Sequence, residues 1–355
     1  MKSKIRVFLG AFVNVPNAQN INCKSIAEHL DKSRFNVHTL STYSFPKIHI
    51  DKVTIHNCFW PHRLSVYWVF FVQIIMAEVV YLPKGNHLNF TSFLCKLFNK
   101  KSMTTIEGIF DDQATKNAQR ISGKNFVKYY HRFSKRFSIT KFMKGYNFEN
   151  HGLETAPEIL YLGVESKLFE SIKSRRSELK QIIMVGNDLL RKGVFDYIEL
   201  SHQFPDLQFH LVGSGNGKID IENELKKRKL NNFIFHGFIN QDEIVKLLAK
   251  VQLHILPSKS EGFPKVILEN ACAGIPSIVY NDYGAQEWIT NRANGFVVSD
   301  LNEIVETIHL LKNNPDLLKK VSIDSIELGR SFDWSVKIKF WEKQFSKLYS
   351  FRLDK

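Results

Sequence analysis

Five short apolar runs, Gln181–Val185, Leu207–Val212, Phe233–His236, Val251–Leu256 and Ser277–Tyr280, are separated by stretches of helical periodicity. The helical stretches lie near Gly193–His202, Glu222–Lys229, Asp242–Ala249 and Pro264–Cys272. Runs this short and this apolar read as strands buried on both faces. Strands that alternate with helices pair in parallel, and the helices cover both sides of the sheet. This alternation constrains the fold more than any other feature of the chain.

The first half shows a looser form of the same pattern. Ile5–Leu9 reads as a strand, Ile21–Leu30 as an amphipathic helix, and Val37–Leu40 and Val53–His56 as further strands. Leu64–Leu82 is long enough to raise the question of a membrane span, but it contains Gln73 and Glu78. It reads better as a buried helix followed by a strand ended at Pro83. Residues 88–98 form a helical pattern and Lys101–Ile106 a strand. The opening apolar stretch runs into Asn14, Pro16 and Asn17 and suits a first strand better than a signal peptide. At 355 residues there is room for two domains. Cys23, Cys58, Cys95 and Cys272 form no CxxC pair. Neither a disulfide framework nor a zinc site is indicated, and a reducing cytosol is the expected setting.

The net charge of +14 is uneven. Residues 1–170 carry 23 Lys and Arg against 12 Asp and Glu, a balance of +11, whereas residues 171–355 carry 26 against 23, a balance of +3. From Gln113 to Phe148 there is no acidic residue. Lys116, Arg120, Lys124, Lys128 and Arg132 recur at every fourth position and would share one face of a continuous helix, unless Gly123 splits it. Ile121, Phe126, Tyr129, Tyr130 and Phe133 supply apolar surface beside them. Such a face is either simply solvated or meets an anionic partner: nucleic acid, a membrane surface or a polyanionic glycan.

The stretch Ser258–Pro276 follows one of the strands and carries the most chemistry. Gly262 permits an unusual turn, Pro264 suits a first helical position, and Gly274 with Pro276 ends the helix. Glu261 falls at the helix mouth, and Glu269 two turns on, roughly 12 Å of rise in a regular helix. A helix N-terminus with two spaced carboxylates suits a ligand bearing both phosphate and hydroxyls. The bland alternative is a strand–turn–helix with two solvated glutamates.

As a whole, this string resembles the Glu-x7-Glu signature of the retaining glycosyltransferases of family 4, within the group 1 glycosyltransferases. Further resemblances support it. They are Val185–Gly193, similar to the loop whose Lys binds the donor diphosphate, the glycine loop Leu211–Gly215, the segment Phe235–Ile239 and the turn Asn291–Val297. Pro157–Phe169 resembles the crossover strand, with Leu162 in place of the usual Asn, and Asp333–Tyr349 the terminal helix that crosses back, with Asp333 as its N-cap.

The resemblance implies a GT-B fold, two facing doubly wound Rossmann-like domains with a cleft between them. The expected division is residues 1–168 on the acceptor side, 169–332 binding the nucleotide sugar, and 333–355 as the crossover helix. It also implies roles. Lys192, helped by Arg191, neutralises the leaving diphosphate. Glu269 holds the ribose hydroxyls, and Glu261 contacts the transferred sugar and stabilises its cationic transition state. The backbone around Gly262, Phe263, Pro264 and Lys265 holds sugar hydroxyls and phosphate. Phe238 and Ile239 lie where backbone meets the nucleobase.

There are departures from the pattern. Asn187 stands where many members carry a second phosphate-binding Arg. Only Gly10 remains of the usual diglycine in the first loop. Glu107 stands where many members place a His that acts on the acceptor, while Asp111 and Asp112 read as surface carboxylates.

The implied activity is transfer of a sugar from a nucleotide donor, a UDP-sugar, to a saccharide or lipid-linked saccharide in bacterial surface polysaccharide assembly. No metal and no cofactor are expected. The expected setting is the cytoplasmic face of the membrane, with the basic first domain against anionic lipid and no nucleic-acid partner. Alternatives are a nucleotide-sugar epimerase or a phosphorylase on the same fold, and a non-catalytic homologue that binds nucleotide sugar or glycan.

Overall fold

The computed structural model describes residues 4–83, 88–122, 126–214 and 219–350, so Gly85, Gly123, Lys124 and Gly215 lie outside it. The chain forms two compact units, Met1–Leu162 with Trp334–Lys355, and Gly163–Asp333.

The first unit is a six-stranded, wholly parallel sheet. In chain order it runs β1 (Ile5–Phe12), α1 (Ala18–His29), β2 (Phe35–Thr42), β3 (Val53–Cys58), α2 (His62–Met76) and β4 (Val79–Tyr81). It continues with α3 (Leu88–Leu97), β5 (Lys101–Ile106), α4 (Asp112–Ser122), α5 (Val127–Tyr130), β6 (Lys135–Ser138) and α6 (Lys141–His151). Across the sheet the order is β3-β2-β1-β4-β5-β6.

The second unit contains β7 (Gln181–Val185), α7 (Val194–Gln203), β8 (Gln208–Val212), α8 (Ile221–Arg228), β9 (Phe233–Gly237) and α9 (Gln241–Leu248). After these come β10 (Leu253–Leu256), α10 (Lys265–Cys272), β11 (Ser277–Tyr280), β12 (Phe296–Val298), α11 (Leu301–Asn313) and α12 (Pro315–Ser331). Its parallel sheet has the order β12-β11-β10-β7-β8-β9. Counted from its own first strand, each sheet reads 3-2-1-4-5-6, the doubly wound order. The strands are as apolar as two-sided burial requires: every residue of β10 and β11 is buried.

The division falls after Leu162, ahead of the expected residue 168. Val164 bridges Asp333, and the Asp333 carboxylate accepts hydrogen bonds from Ser166 N and Oγ, which ties this stretch to the second unit. The preceding segment forms no full strand, though Ile159 bridges Ser138 beside β6. The last helix, α13 (Trp334–Ser350), belongs to the first unit and packs on α1 and β1. Trp334 and Trp341 are fully buried there. Each contributes on the order of 4–6 kcal/mol as an upper estimate from buried area. Trp341 Nε1 donates to Tyr161 O at 3.1 Å, and Glu342 accepts from Asp31 N at 2.8 Å.

Two sequence expectations need correction in the first unit. In the basic segment α4 and α5 are separate elements with β6 following, as a split at Gly123 would give. Phe126, Tyr129, Tyr130 and Phe133 are core residues packed with Phe110 and Leu94, not an outer apolar surface. Finally, α2 is not buried all round. Val66, Phe70 and Ile74 face the core, but Leu64, Tyr67 and Trp68 are exposed. No helix among the described residues is long and apolar enough to cross a membrane.

Candidate active site

In a doubly wound sheet the ligand crevice opens beyond the carboxyl ends of the first and fourth strands, where helices leave to opposite faces. In the second unit those strands are β7 and β10, which are direct neighbours. The loop after β7 carries Gly186–Gly193 and the loop after β10 carries Pro257–Pro264. Both loops therefore meet at the switch point, and their side chains interlock.

Lys192 Nζ donates to Glu261 Oε1 at 2.7 Å, and both residues are buried, with 8% and 6% exposure. Arg191 Nη1 stands 3.5 Å from the same oxygen, and the Arg191 guanidinium also donates to Ser260 O and lies 3.8 Å from Asp188 Oδ2. One carboxylate oxygen thus faces two cations.

Glycines make the approach possible. A Cβ on Gly186 would lie 2.3 Å from Lys192 Cδ, so the lysine stem runs against bare backbone. Gly193, at φ +80°, caps α7, and a Cβ there would lie 2.0 Å from Pro257 O. The two loops touch backbone to backbone at that point, which only glycine allows.

The mouth of α10 differs in detail from the sequence reading. Pro264 is the N-cap, at φ −76° and ψ 84°, and the helix starts at Lys265. Lys265 N donates to Phe263 O at 2.9 Å, an inverse γ-turn about the proline. The Lys265 amide is therefore already engaged, and the span from Glu261 to Glu269 is not a helical rise. Within the helix only Lys265 to Glu269 is regular, about 6 Å at 1.5 Å per residue. Burial raises the Glu269 carboxyl above its usual range, and Lys265, one turn back, opposes the shift. Phe263 packs against Trp288 and Phe332, with ring centroids at 5.6 and 6.0 Å.

Two residues that the sequence reading passed over complete this edge. Tyr283 follows β11, is 1% exposed, and its hydroxyl has no hydrogen-bond partner among the described residues. Burial raises its phenol, and the charge of Glu261 raises it further. His254 in β10 is fully buried, bonded through Nδ1 to Ser277 Oγ at 2.9 Å. Desolvation, aided by the Lys192 charge, lowers it to about 3, so it is neutral beneath the lysine. The sequence signal for Tyr283 is its place just past a strand of the same sheet edge; nothing in the string marks His254.

The other expected donor contacts are more open. Asn187 is exposed at the start of the loop after β7. Phe238, 80% exposed, and Ile239, half-buried, follow the end of β9. Gly10 is not in a loop but inside β1, where a Cβ would lie 2.5 Å from Leu82 Cδ2; close packing accounts for it.

In the first unit Glu107 follows the carboxyl end of β5 and is held on several sides. Thr105 Oγ1 donates to its Oε1 at 2.8 Å, Tyr81 OH reaches the same oxygen at 3.4 Å, and Asn22 Nδ2 reaches Oε2 at 3.2 Å. Burial, then the Glu107 charge, raises the Tyr81 phenol, which keeps it a hydrogen-bond donor. Asp111 is a capping residue: its Oδ1 accepts from Ala114 N at 2.8 Å at the start of α4. Asp112 is exposed.

Residues 166–326 match the family model of glycosyl transferases group 1. An uncharacterized glycosyltransferase of Methanocaldococcus jannaschii is 27% identical over 241 residues, 67% of each protein. The alpha-galactosylglucosyldiacylglycerol synthase of Streptococcus pneumoniae is 30% identical over 175 residues, 46% of each. The matched stretch thus spans only part of these relatives' own length, under half in the second case. Among solved structures, HepE of Anabaena in complex with UDP superposes with a TM-score of 0.77 over 97% of this chain and 100% of that one, at 16% identity. At that identity the likeness is one of fold, and the fold is GT-B.

Proposed function

We propose, for a chain whose residues 166–326 match the family model of group 1 glycosyl transferases, that the protein transfers a sugar from a nucleotide-sugar donor to a saccharide acceptor with retention of anomeric configuration. The observation that carries this reading is the meeting of Arg191, Lys192 and Glu261 at the switch point of the second sheet.

Before a donor arrives, the Glu261 carboxylate holds both cations in place. A diphosphate entering there competes for them, and Arg191 and Lys192 then face the oxygen on which charge grows as the bond to the anomeric carbon breaks. The electron pair leaves with the nucleoside diphosphate. The acceptor hydroxyl attacks the same face and passes its proton to the departing phosphate oxygen. Glu261, freed from full pairing, stabilises the positive charge that develops on the sugar. Glu269, with its raised carboxyl, binds ribose hydroxyls, and the strand-end segment at Phe238 and Ile239 meets the base. The reading calls for no metal or cofactor. A UDP-sugar is the donor proposed, a choice supported by the UDP held in HepE.

The acceptor we assign is a lipid-linked saccharide of bacterial surface polysaccharide assembly, such as lipopolysaccharide, O-antigen or capsule. It is met at the cytoplasmic face of a membrane through the basic first unit, with Glu107 acting on the acceptor. The glycolipid product named for the S. pneumoniae relative is consistent with this choice.

A second reading, a non-catalytic nucleotide-sugar binder, draws on exposed Asn187 in place of a phosphate-binding arginine. A thermal-shift titration with UDP, GDP and ADP, on wild type and Glu269→Ala, tests the donor assignment. Ligand at a hundred times its dissociation constant stabilises by about 2.7 kcal/mol. Stabilisation by UDP alone, lost in the variant, is the expected result; no shift with any nucleotide overturns the proposal. Release of UDP from a UDP-sugar in the presence of acceptor then separates enzyme from binder.

A further inference from the structure

The helix α2 carries two apolar faces. Val66, Phe70 and Ile74 pack inward, while Leu64 and Trp68, one turn apart, lie on the outer side, and Phe71 is half-buried against the core. Leu64 is 69% and Trp68 62% exposed, and Trp60, just ahead of the helix, is 77% exposed. The outer face continues onto α3, where Phe93 and Leu97 are 55% and 60% exposed. Tyr67 of α2 meets Phe90 of α3 edge-on at 4.9 Å, and Phe71 meets Phe98, just past α3, at 6.0 Å. The apolar surface therefore spans two helices that touch through their rings. A platform of large, clustered side chains, unlike scattered exposed leucines, marks an interaction site.

Its surroundings are cationic. From Lys52 to Ile106 the sequence holds one carboxylate, Glu78, and that one accepts a hydrogen bond from Arg6 N at 2.8 Å. Arg63 and Lys96 are exposed on the two helices themselves. Arg132 Nη1 reaches Asn89 Oδ1 at 3.2 Å and Ser92 Oγ at 3.3 Å, which brings the segment free of acidic residues against α3. Aromatic and aliphatic side chains rimmed by Lys and Arg match the layered chemistry of a bilayer interface: apolar groups enter the acyl boundary and cations meet anionic headgroups. A second copy of the chain fits badly, because it would set two basic surfaces against each other.

We propose that the outer faces of α2 and α3 form a membrane-docking surface that inserts Trp68, Leu64, Leu97 and Phe93 into the interface of a bilayer containing anionic phospholipid. This deepens the membrane-side reading above and rests on it only for the identity of the acceptor; the docking itself needs no sugar chemistry.

The five tryptophans allow a direct test. Trp60 and Trp68 are exposed, whereas Trp288, Trp334 and Trp341 are buried. The full chain is mixed with vesicles of phosphatidylcholine, alone or with phosphatidylglycerol, carrying brominated acyl chains. Tryptophan fluorescence is expected to be quenched with the anionic vesicles, and the quenching to disappear in Trp60→Ser/Trp68→Ser. Vesicle co-sedimentation is expected to fall by about tenfold or more in Leu64→Glu/Leu97→Glu. Both substituted positions are exposed, so that variant should keep its melting temperature and its stabilisation by UDP.

Co-sedimentation without quenching would mean that charge alone holds the protein at the surface, and it overturns insertion. So does undiminished binding in Leu64→Glu/Leu97→Glu, or self-association abolished by that variant in the absence of vesicle binding. Quenching without any response to UDP would sink the transferase reading and leave this one standing. The reverse outcome would do the opposite.

Discussion

The Lys192–Glu261 pair makes the sharpest test of how the site is built. Both partners are more than nine-tenths buried and 2.7 Å apart, but their situations differ. Glu261 also has Arg191 at 3.5 Å, a side chain 43% exposed and able to adjust. Glu261→Gln therefore strands Lys192 as a buried cation, an uncompensated charge that costs about 3–5 kcal/mol. Lys192→Met keeps the stem that packs on Gly186 and leaves Glu261 with Arg191, so the loss should be nearer 1–3 kcal/mol, roughly that of an unmet buried polar group. The double variant Lys192→Met/Glu261→Gln removes the buried cation and its carboxylate together. It should lie within about 2 kcal/mol of wild type, because a buried ion pair replaced by neutral groups is often nearly neutral. Urea midpoints at constant m-value give the three differences and the coupling between them. Strictly additive losses would refute the argument that the two side chains are stabilised by each other. Functionally, Glu261→Gln removes the group that competes with diphosphate for the cations. UDP affinity should hold or rise while sugar transfer falls by about a hundredfold or more.

Other expectations follow from the same geometry. Gly193→Ala sets a Cβ against Pro257 O in a left-handed conformation, and it should destabilise by more than about 2 kcal/mol, measured by denaturant unfolding. The raised carboxyl of Glu269 means that the folded state holds this proton more tightly than the unfolded chain. That costs stability as pH rises from the unfolded value near 4.3 through the folded one, so Glu269→Gln should gain on wild type at neutral pH and lose the gain in acid. A parallel set of melting curves between acid and neutral pH checks this, alongside weakened UDP binding. The lowered His254 works in the opposite direction, since the unfolded chain takes up a proton that the folded one refuses. Stability should fall as pH drops from about 6.5 toward 3, and His254→Gln should flatten that part of the profile.

Sequence alone determined whatever depends on local period and local backbone. Alternating apolar runs and helical repeats give two parallel α/β units, because a buried strand and a helix have different side-chain periods and the crossover between parallel strands is a helix. Gly193 marks a loop that a side chain would block, and Pro264 marks the start of a helix. The donor loop and the Glu-x7-Glu stretch were therefore legible as separate pieces. Strand order was not, and strand order is what brings Lys192 to Glu261 across 69 positions of chain, through the adjacency of β7 and β10.

Packing also decided which apolar residues face inward. In α2 both faces are apolar, and only the neighbouring sheet selects Val66, Phe70 and Ile74 for the core and leaves Leu64 and Trp68 outside. In the basic segment, Phe126, Tyr129 and Phe133 belong to the core, where the sequence alone left them as apolar surface beside the cations. Periodicity reports which residues share a face; a second element must be present before that face has an inside.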